Sequence, residues 1–217
     1  METALFSPSS LFGDASDSSS DEEINDGVNH NFVERNHQFP GMELIIREFS
    51  FHQFNANLLW PGTFAFAEWL VQHRAWIEGK HIIELGSGTG ALAIFLKKMF
   101  QIDITTSDYN DQEIEDNISY NCMINGITPA LPHVKHVKQY PNLIKTISFL
   151  LKSYQPKENM LAPHNEQDDV LPDPAFLMSW RRRIGKDDEA LFFKGCEEAG
   201  LQAKHLGSRV YCIVSRN

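Results

Sequence analysis

A short apolar run, His81-Ile82-Ile83-Glu84-Leu85, leads directly into Gly86-Ser87-Gly88-Thr89-Gly90, and a stretch rich in Ala, Leu, Ile and Phe follows from Ala91 to Phe100. Few folds accommodate that order. A strand that meets glycines and then at once a helix predicts a tight turn, with the helix folded back beside the strand. Gly86 allows the turn, and Gly88 lets the backbone approach a ligand with no Cβ in the way. Gly90 and Ala91 keep the start of the helix close to the strand. Backbone N–H groups at that helix start favour a carboxylate or a phosphate. The segment therefore reads as the opening of a nucleotide-shaped cradle.

The chain continues in the same rhythm. Asp103-Ile104-Thr105-Thr106-Ser107-Asp108 has β-branched residues at its centre and reads as the next strand. Asn110 or Asp111 can cap a following helix, in which Ile114, Ile118, Asn121, Cys122 and Asn125 share one face and Gly126 marks the stop. Residues 81–126 thus read strand, helix, strand, helix, the pattern of a doubly wound parallel sheet. Upstream, Glu43 to Phe49 reads as a strand and Asn57 to Gly62 as a loop. Thr63 is the expected cap of a helix whose apolar face carries Phe66, Trp69, Leu70, His73, Trp76 and Ile77. Downstream, Pro132 to Val137 is a short, weak strand, and Leu143, Ile144, Ile147, Leu150 and Leu151 form a helical stripe. Gln155 to Pro174 is polar and Pro-containing, a long loop. Ala175 to Trp180 reads as a strand, and Asp187 can cap a helix that Gly200 ends. Leu201 to Leu206 and Arg209 to Ser215, joined at Gly207-Ser208, predict a closing antiparallel hairpin. The expected class is α/β: a Rossmann-like, doubly wound, mostly parallel sheet with an antiparallel C-terminal hairpin.

Composition sets the surroundings. Residues 1–38 include Asp14 to Glu23, which are nearly devoid of apolar side chains and strongly acidic, so they cannot offset the entropy of ordering. A disordered acidic, serine-rich tail over 1–38 and one domain over 39–217 are expected. The net charge of −10 argues against a general nucleic-acid binder and suits a basic partner such as a lysine-rich protein. Cys122, Cys196 and Cys212 form no CxxC pair and read as free thiols in a reducing compartment, cytoplasm or nucleus. No apolar run reaches about 18 residues, so no membrane span is expected, and no secretory signal opens the chain. His133, His136, His164 and His205 lack the Cys or carboxylate partners that would complete a metal site. A monomer without metal is expected.

Two cofactor classes use such a cradle. Gly86-Ser87-Gly88-Thr89-Gly90-Ala91 fits the dinucleotide pattern G-x-G-x-x-A as well as a methyltransferase loop, and Asp108 stands about 20 residues on, where either class places an acid for ribose hydroxyls. Three features favour the second class. Glu84 adds an acid at the strand end, welcome beside the cationic amino-acid end of S-adenosylmethionine and unwelcome beside a pyrophosphate. The closing hairpin reverses the last strand. Trp60 precedes the first helix, where it fits either closure over a sulfonium or plain core packing.

Taken together, Asn55 to Gly62, the loop Glu84 to Gly90, Ser107-Asp108-Tyr109, Asn117 and Asn121 resemble the seven-β-strand methyltransferase family sixteen, the lysine-methyltransferase-like group. Phe176 to Arg183, Phe192-Phe193 and Gly207 to Tyr211 are similar too, so the likeness runs over roughly residues 40–217 with one break. It implies methyl transfer from S-adenosylmethionine to a protein lysine, with Trp60, Gly86, Ser87, Gly88 and Asp108 at the cofactor. Glu84 joins them on the charge argument above.

The break follows His136. The family has there an apolar strand ending in an acid and then a tyrosine, in the sense of D-L-I-I-A-S-D-x-x-x-Y. Here His133-Val134-Lys135-His136 runs almost directly into Val137-Lys138-Gln139-Tyr140-Pro141, as an internal deletion would leave it. Tyr140 does not replace the lost tyrosine, because it immediately precedes Pro141 at a helix entry. One central strand is therefore expected to be missing, and no catalytic residue is assigned. Two readings stand: a protein-lysine methyltransferase, or a truncated, catalytically impaired relative that only binds cofactor or partners.

Overall fold

The computed structural model describes residues 32–52, 56, 58–136, 141–154, 171–180 and 186–216. The predicted first strand is the second half of a hairpin: β1 (Phe32–Phe39) pairs antiparallel with β2 (Met42–Phe49). Next come α1 (Pro61–Gln72), β3 (His81–Leu85), α2 (Ala91–Phe100), β4 (Asp103–Tyr109), α3 (Gln112–Ile124) and β5 (His133–His136). The second half comprises α4 (Pro141–Ser153), β6 (Phe176–Ser179), α5 (Lys186–Glu198), β7 (Leu201–Gly207) and β8 (Val210–Ser215).

The first described strand, β1, starts at Phe32, inside the stretch 1–38 read as tail. The reason is pairing rather than composition. Pro40-Gly41 turns the chain back, Gly41 at φ +76°, so that every residue of β1 faces one of β2. Phe32 and Tyr120 then hold the Arg47 guanidinium between their rings, at 4.3 and 3.8 Å from the ring centroids. The acidic run expected to be disordered lies outside the described residues, as do Val137 to Tyr140 and most of the expected loop 155–174.

Two expected caps fall inside their helices. α1 starts at Pro61, whose fixed φ suits a first helical position, which puts Thr63 in the first turn. α5 starts at Lys186, one residue before Asp187. Asp111, in contrast, caps α3 as expected, accepting the Glu113 N–H at 2.9 Å.

The doubly wound part is a parallel sheet in the order β3-β4-β5, and the C-terminal strands form an antiparallel sheet in the order β6-β8-β7. These are separate sheets. Among the described residues no strand pairs with the second edge of β3 or the second edge of β6, the position at which the sequence lacks its central strand. The consequence is visible in burial: Ile83, on a strand that a continuous sheet would enclose, is 41% exposed. The core divides the same way. One cluster joins β2, α1, α2 and α3 around Leu44, Trp69, Phe95 and Ile118, and a second joins α4, α5 and the C-terminal strands around Ile147, Cys196, Leu201 and Ile213. Leu177 of β6 packs on the first cluster and Leu85 of β3 on the second, so the halves meet through side chains without backbone pairing. None of the described helices is long and apolar enough to cross a membrane.

Candidate functional site

The glycine loop forms as its local sequence predicts. Leu85 ends β3, Gly86 and Gly88 take φ +73° and +54°, and Ala91 opens α2. A Cβ built on either glycine meets nothing within 4 Å, so the loop presents bare backbone to open space. Gly90 does something else. A Cβ there would come 3.0 Å from Ile118 Cγ2, so its absence seats α2 against α3 rather than against the strand.

Adjacent strands hold the loop. Gly86 and Ser87 both donate N–H groups to the Ser107 carbonyl at 2.9 Å, and the buried Ser87 hydroxyl accepts the Ser107 N–H at 3.1 Å. Register pairing sets Leu85 opposite Ser107, which carries Asp108 level with the loop. Asp108 Oδ2 accepts the Gly88 N–H at 2.6 Å, and Oδ1 accepts the Tyr109 N–H at 2.6 Å. Asp108 thus sits beside the cradle, as its spacing predicts, and also anchors the loop.

Glu84 is the electrostatic centre. Its Oε2 is buried and has no hydrogen-bond partner among the described residues. Burial pushes its carboxyl up to about 8 from an ordinary 4.5; the Ser87 hydroxyl opposes the shift, nearby Asp108 adds to it, and the Ala93 backbone amide opposes it. A raised folded-state value means that the native chain keeps a proton which the unfolded chain has released. Stability from this group therefore falls as pH rises from about 4.5 to about 8, and the loss is complete above that. Glu84→Gln should flatten the dependence of melting temperature on pH across this window and gain up to a few kcal/mol over the parent at the alkaline end. Parallel melting curves of parent and variant between pH 5 and 8 would contradict the assignment.

Trp60 is placed by residues that the sequence reading passed over. It immediately precedes α1, 39% exposed, and its carbonyl accepts the Thr63 N–H. The preceding residue, Leu59, donates its N–H to Glu48 Oε1 at 3.1 Å. Glu48 is itself buried, and His37 and Arg35 from β1 reach its two oxygens at 3.0 and 3.1 Å. Asn117, Asn121 and Asn125, one turn apart on α3, line the β2 edge. The Asn121 and Asn125 amides each accept a backbone N–H and donate to the carbonyl of the same residue, Arg47 and Ile45 respectively, as a neighbouring strand would. Asn121 also donates to the Thr89 carbonyl at 3.0 Å, which ties the hairpin to the glycine loop. Period-3.6 spacing put Asn121 and Asn125 on the buried face of α3; buried amides there, which demand partners, were the signal for their role.

Of the histidines considered for a metal, His164 and the His136 side chain lie outside what is described. The His133 ring lies on β5, with Nδ1 2.9 Å from Thr106 Oγ1. The fold instead gathers His52, Asp111 and Glu113, of which Asp111 already caps α3 and Glu113 is exposed.

The glycine loop, the neighbouring acid and the β2-to-α3 asparagines all lie in one stretch of chain. Over residues 38–138 that stretch matches the family described as lysine methyltransferase. That stretch, somewhat under half of the chain, is what it shares with the family. Relatives include the electron transfer flavoprotein beta subunit lysine methyltransferase of Mus musculus, 36% identical over 72 residues, which are 33% of this chain and 28% of that protein. Its Rattus norvegicus counterpart is 35% identical over the same shares. The chain therefore aligns with little more than a quarter of the length of the curated relatives it matches.

Proposed function

We propose that this chain binds S-adenosylmethionine at the loop Glu84 to Gly90 and serves methyl transfer to a lysine amine of a protein. The observation that carries the reading is the buried Oε2 of Glu84, without a hydrogen-bond partner among the described residues, two residues before an open glycine turn. Glu84 can hold its charge in a buried site only beside a cation, and beside a pyrophosphate it would stay neutral and supply no countercharge. The aminium of an amino-acid cofactor answers that need, which favours S-adenosylmethionine over NAD. The match of residues 38–138 to lysine methyltransferases supports the same choice.

When bound, S-adenosylmethionine supplies a methyl group on a sulfonium, open to in-line displacement. The chain's own tasks are then those of holding and aligning, which can supply most of the rate in such a reaction. Glu84 would hold the amino end. The Gly86 and Gly88 backbone would lie along the cofactor, and Ser87, fixed by Ser107, would keep that backbone in shape. Asp108 would meet the ribose hydroxyls, and Trp60 would close over the sulfonium end. A lysine acceptor must arrive neutral, which a desolvated approach favours.

Isothermal titration tests the first step. S-adenosylmethionine should bind and NAD should not. Binding at pH 7 should release a proton, because a cation beside Glu84 restores its charged form; the heat should then vary with the ionisation enthalpy of the buffer. Equal binding of NAD, or a heat indifferent to buffer, counts against the reading. Asp108→Ala should weaken S-adenosylmethionine binding at least about tenfold, the loss of one or two charge-assisted hydrogen bonds. It should also lower the melting temperature by a few degrees, since Gly88 loses its acceptor. Unchanged affinity in that variant would remove Asp108 from the site.

The edges of β3 and β6, unpaired among the described residues, favour a second reading, a catalytically impaired relative that retains cofactor or partner binding. Labelled-methyl incorporation into lysate proteins separates the two: cofactor binding with no incorporation selects the second.

A further inference from the structure

We propose that His52, Asp111 and Glu113 form a binding site for a divalent transition cation of the zinc class, which fastens the segment after β2 to the start of α3. The proposal is independent of the cofactor reading, since none of the three residues belongs to the glycine loop.

The three side chains come from two distant places in the chain. His52 follows β2, Asp111 precedes α3 and Glu113 lies in its first turn. One ligand atom from each, an imidazole nitrogen and two carboxylate oxygens, lies within 4.8 Å of the other two. Among the described residues no other set of three histidine, cysteine or acidic side chains converges so closely. The imidazole sets this cluster apart from an acidic patch. His52 is buried, its side chain 4% exposed, and its ring packs on that of the buried Phe49 at 4.9 Å between centroids. A ring held in that way is a ligand already in position, and little entropy is lost when it takes up a metal.

The distances suit an ion better than a direct contact. His52 Nε2 is 3.5 Å from Asp111 Oδ2. A good N–H···O hydrogen bond spans only about 2.7–3.2 Å. Zinc bonds nitrogen at about 2.0–2.1 Å and oxygen at about 2.0–2.2 Å, so atoms on a tetrahedral edge lie roughly 3.3–3.6 Å apart. Asp111 is oriented for that role: its Oδ1 accepts the Glu113 N–H at 2.9 Å, which leaves Oδ2 directed at His52. Such an outer hydrogen bond is what fixes a ligating carboxylate. Glu113 is exposed, and a rotation of its side chain brings an oxygen into bonding range. The two carboxylates offset the charge of the ion and outweigh the α3 dipole, which at a helix start favours anions. Glu115, the next acid on α3, is engaged by Lys135 at 2.7 Å and stays out of the site. An imidazole with two carboxylates suits zinc and its neighbours, whereas magnesium prefers oxygen ligands alone.

The test uses the full chain, stripped with a chelator and titrated with zinc chloride in a calorimeter. One zinc should bind per chain, and the melting temperature should rise by a few degrees when free zinc is about a hundred times the Kd. Magnesium at the same concentration should do neither. Glu113→Gln, at an exposed position, and Asp111→Asn, which keeps a helix cap, should each weaken zinc binding at least about tenfold while the zinc-free melting temperature stays near that of the parent. His81→Gln removes the exposed pair of His81 with Asp103 instead and should bind zinc as the parent does. Cobalt in place of zinc should give visible absorption bands of a nitrogen- and oxygen-ligated site in the parent and lose them in Asp111→Asn. The proposal is overturned if zinc does not bind, or if magnesium binds as well as zinc. It also fails if Glu113→Gln and Asp111→Asn bind zinc like the parent, the mark of adventitious binding at surface histidines. No readout uses S-adenosylmethionine, so failure of the cofactor reading leaves the result intact.

Discussion

Inserting an apolar strand with its terminal acid and tyrosine between His136 and Val137 should raise the melting temperature by roughly 10–20 °C and raise methyl incorporation well above that of the present chain. The first part follows from the two unpaired edges. A central strand would add a ladder on each side, at about 0.5–1.5 kcal/mol net per hydrogen bond, and would bury apolar side chains on both faces. Even after the entropy of ordering the new residues, a gain of about 5 kcal/mol is reasonable, and a domain of this size shifts by about 2–4 °C per kcal/mol. The second part rests on the proposed function: if the amine approaches beside β3, an added strand would supply a wall to orient it. Thermal melts and labelled-methyl incorporation for both chains make the comparison. Equal melting temperature and equal incorporation would show that another segment completes the site.

The second large effect is expected at Asn121. Asn121→Ala removes the acceptor of the Arg47 N–H and one donor each to the Arg47 and Thr89 carbonyls. Asn117 still reaches the Arg47 carbonyl, so the full loss falls on the N–H and on Thr89. Buried groups left without partners cost about 1–3 kcal/mol each, which predicts a destabilisation of roughly 2–5 kcal/mol and a fall in melting temperature on the order of 10 °C. Asn121→Asp keeps the acceptor and loses the donors, and should fall between. Asn36→Ala, which removes an exposed side-chain contact with Glu43, serves as the control and should change little. A drop for Asn121→Ala no larger than the control's would mean that the asparagines do not fasten β2 to α3.

Much of the cradle was legible because its causes are local. Left-handed turns at Gly86 and Gly88, the start of α2 at Ala91 and the Asp111 cap depend on residues a few positions apart. The closing hairpin forms too, but it turns at Ser208-Arg209, one residue beyond the expected Gly207-Ser208, with both residues at positive φ. Asp108 was found by spacing, since strand, turn and helix of ordinary length bring residues about 20 apart side by side. The absence of a strand after His136 was equally plain, because no apolar run is there to form one.

What tertiary structure decided were the matters of partnership and burial. Phe32 to Phe39 reads as ordinary polar chain until Met42 to Phe49 folds back on it. Asn121 and Asn125 look like polar intrusions on an apolar face until β2, 74 and 80 residues away, supplies the groups they bond. Glu48 shows no role until Leu59, His37 and Arg35 surround it. The sequence by itself determined that the cradle forms and that no apolar run follows His136, since both are written in contiguous residues. Only the tertiary structure decided that β3 and β6 do not pair with one another, and that Glu84 keeps a buried oxygen without a partner among the described residues. Both are consequences of desolvation and long-range pairing, which depend on which distant groups fill the space beside a residue.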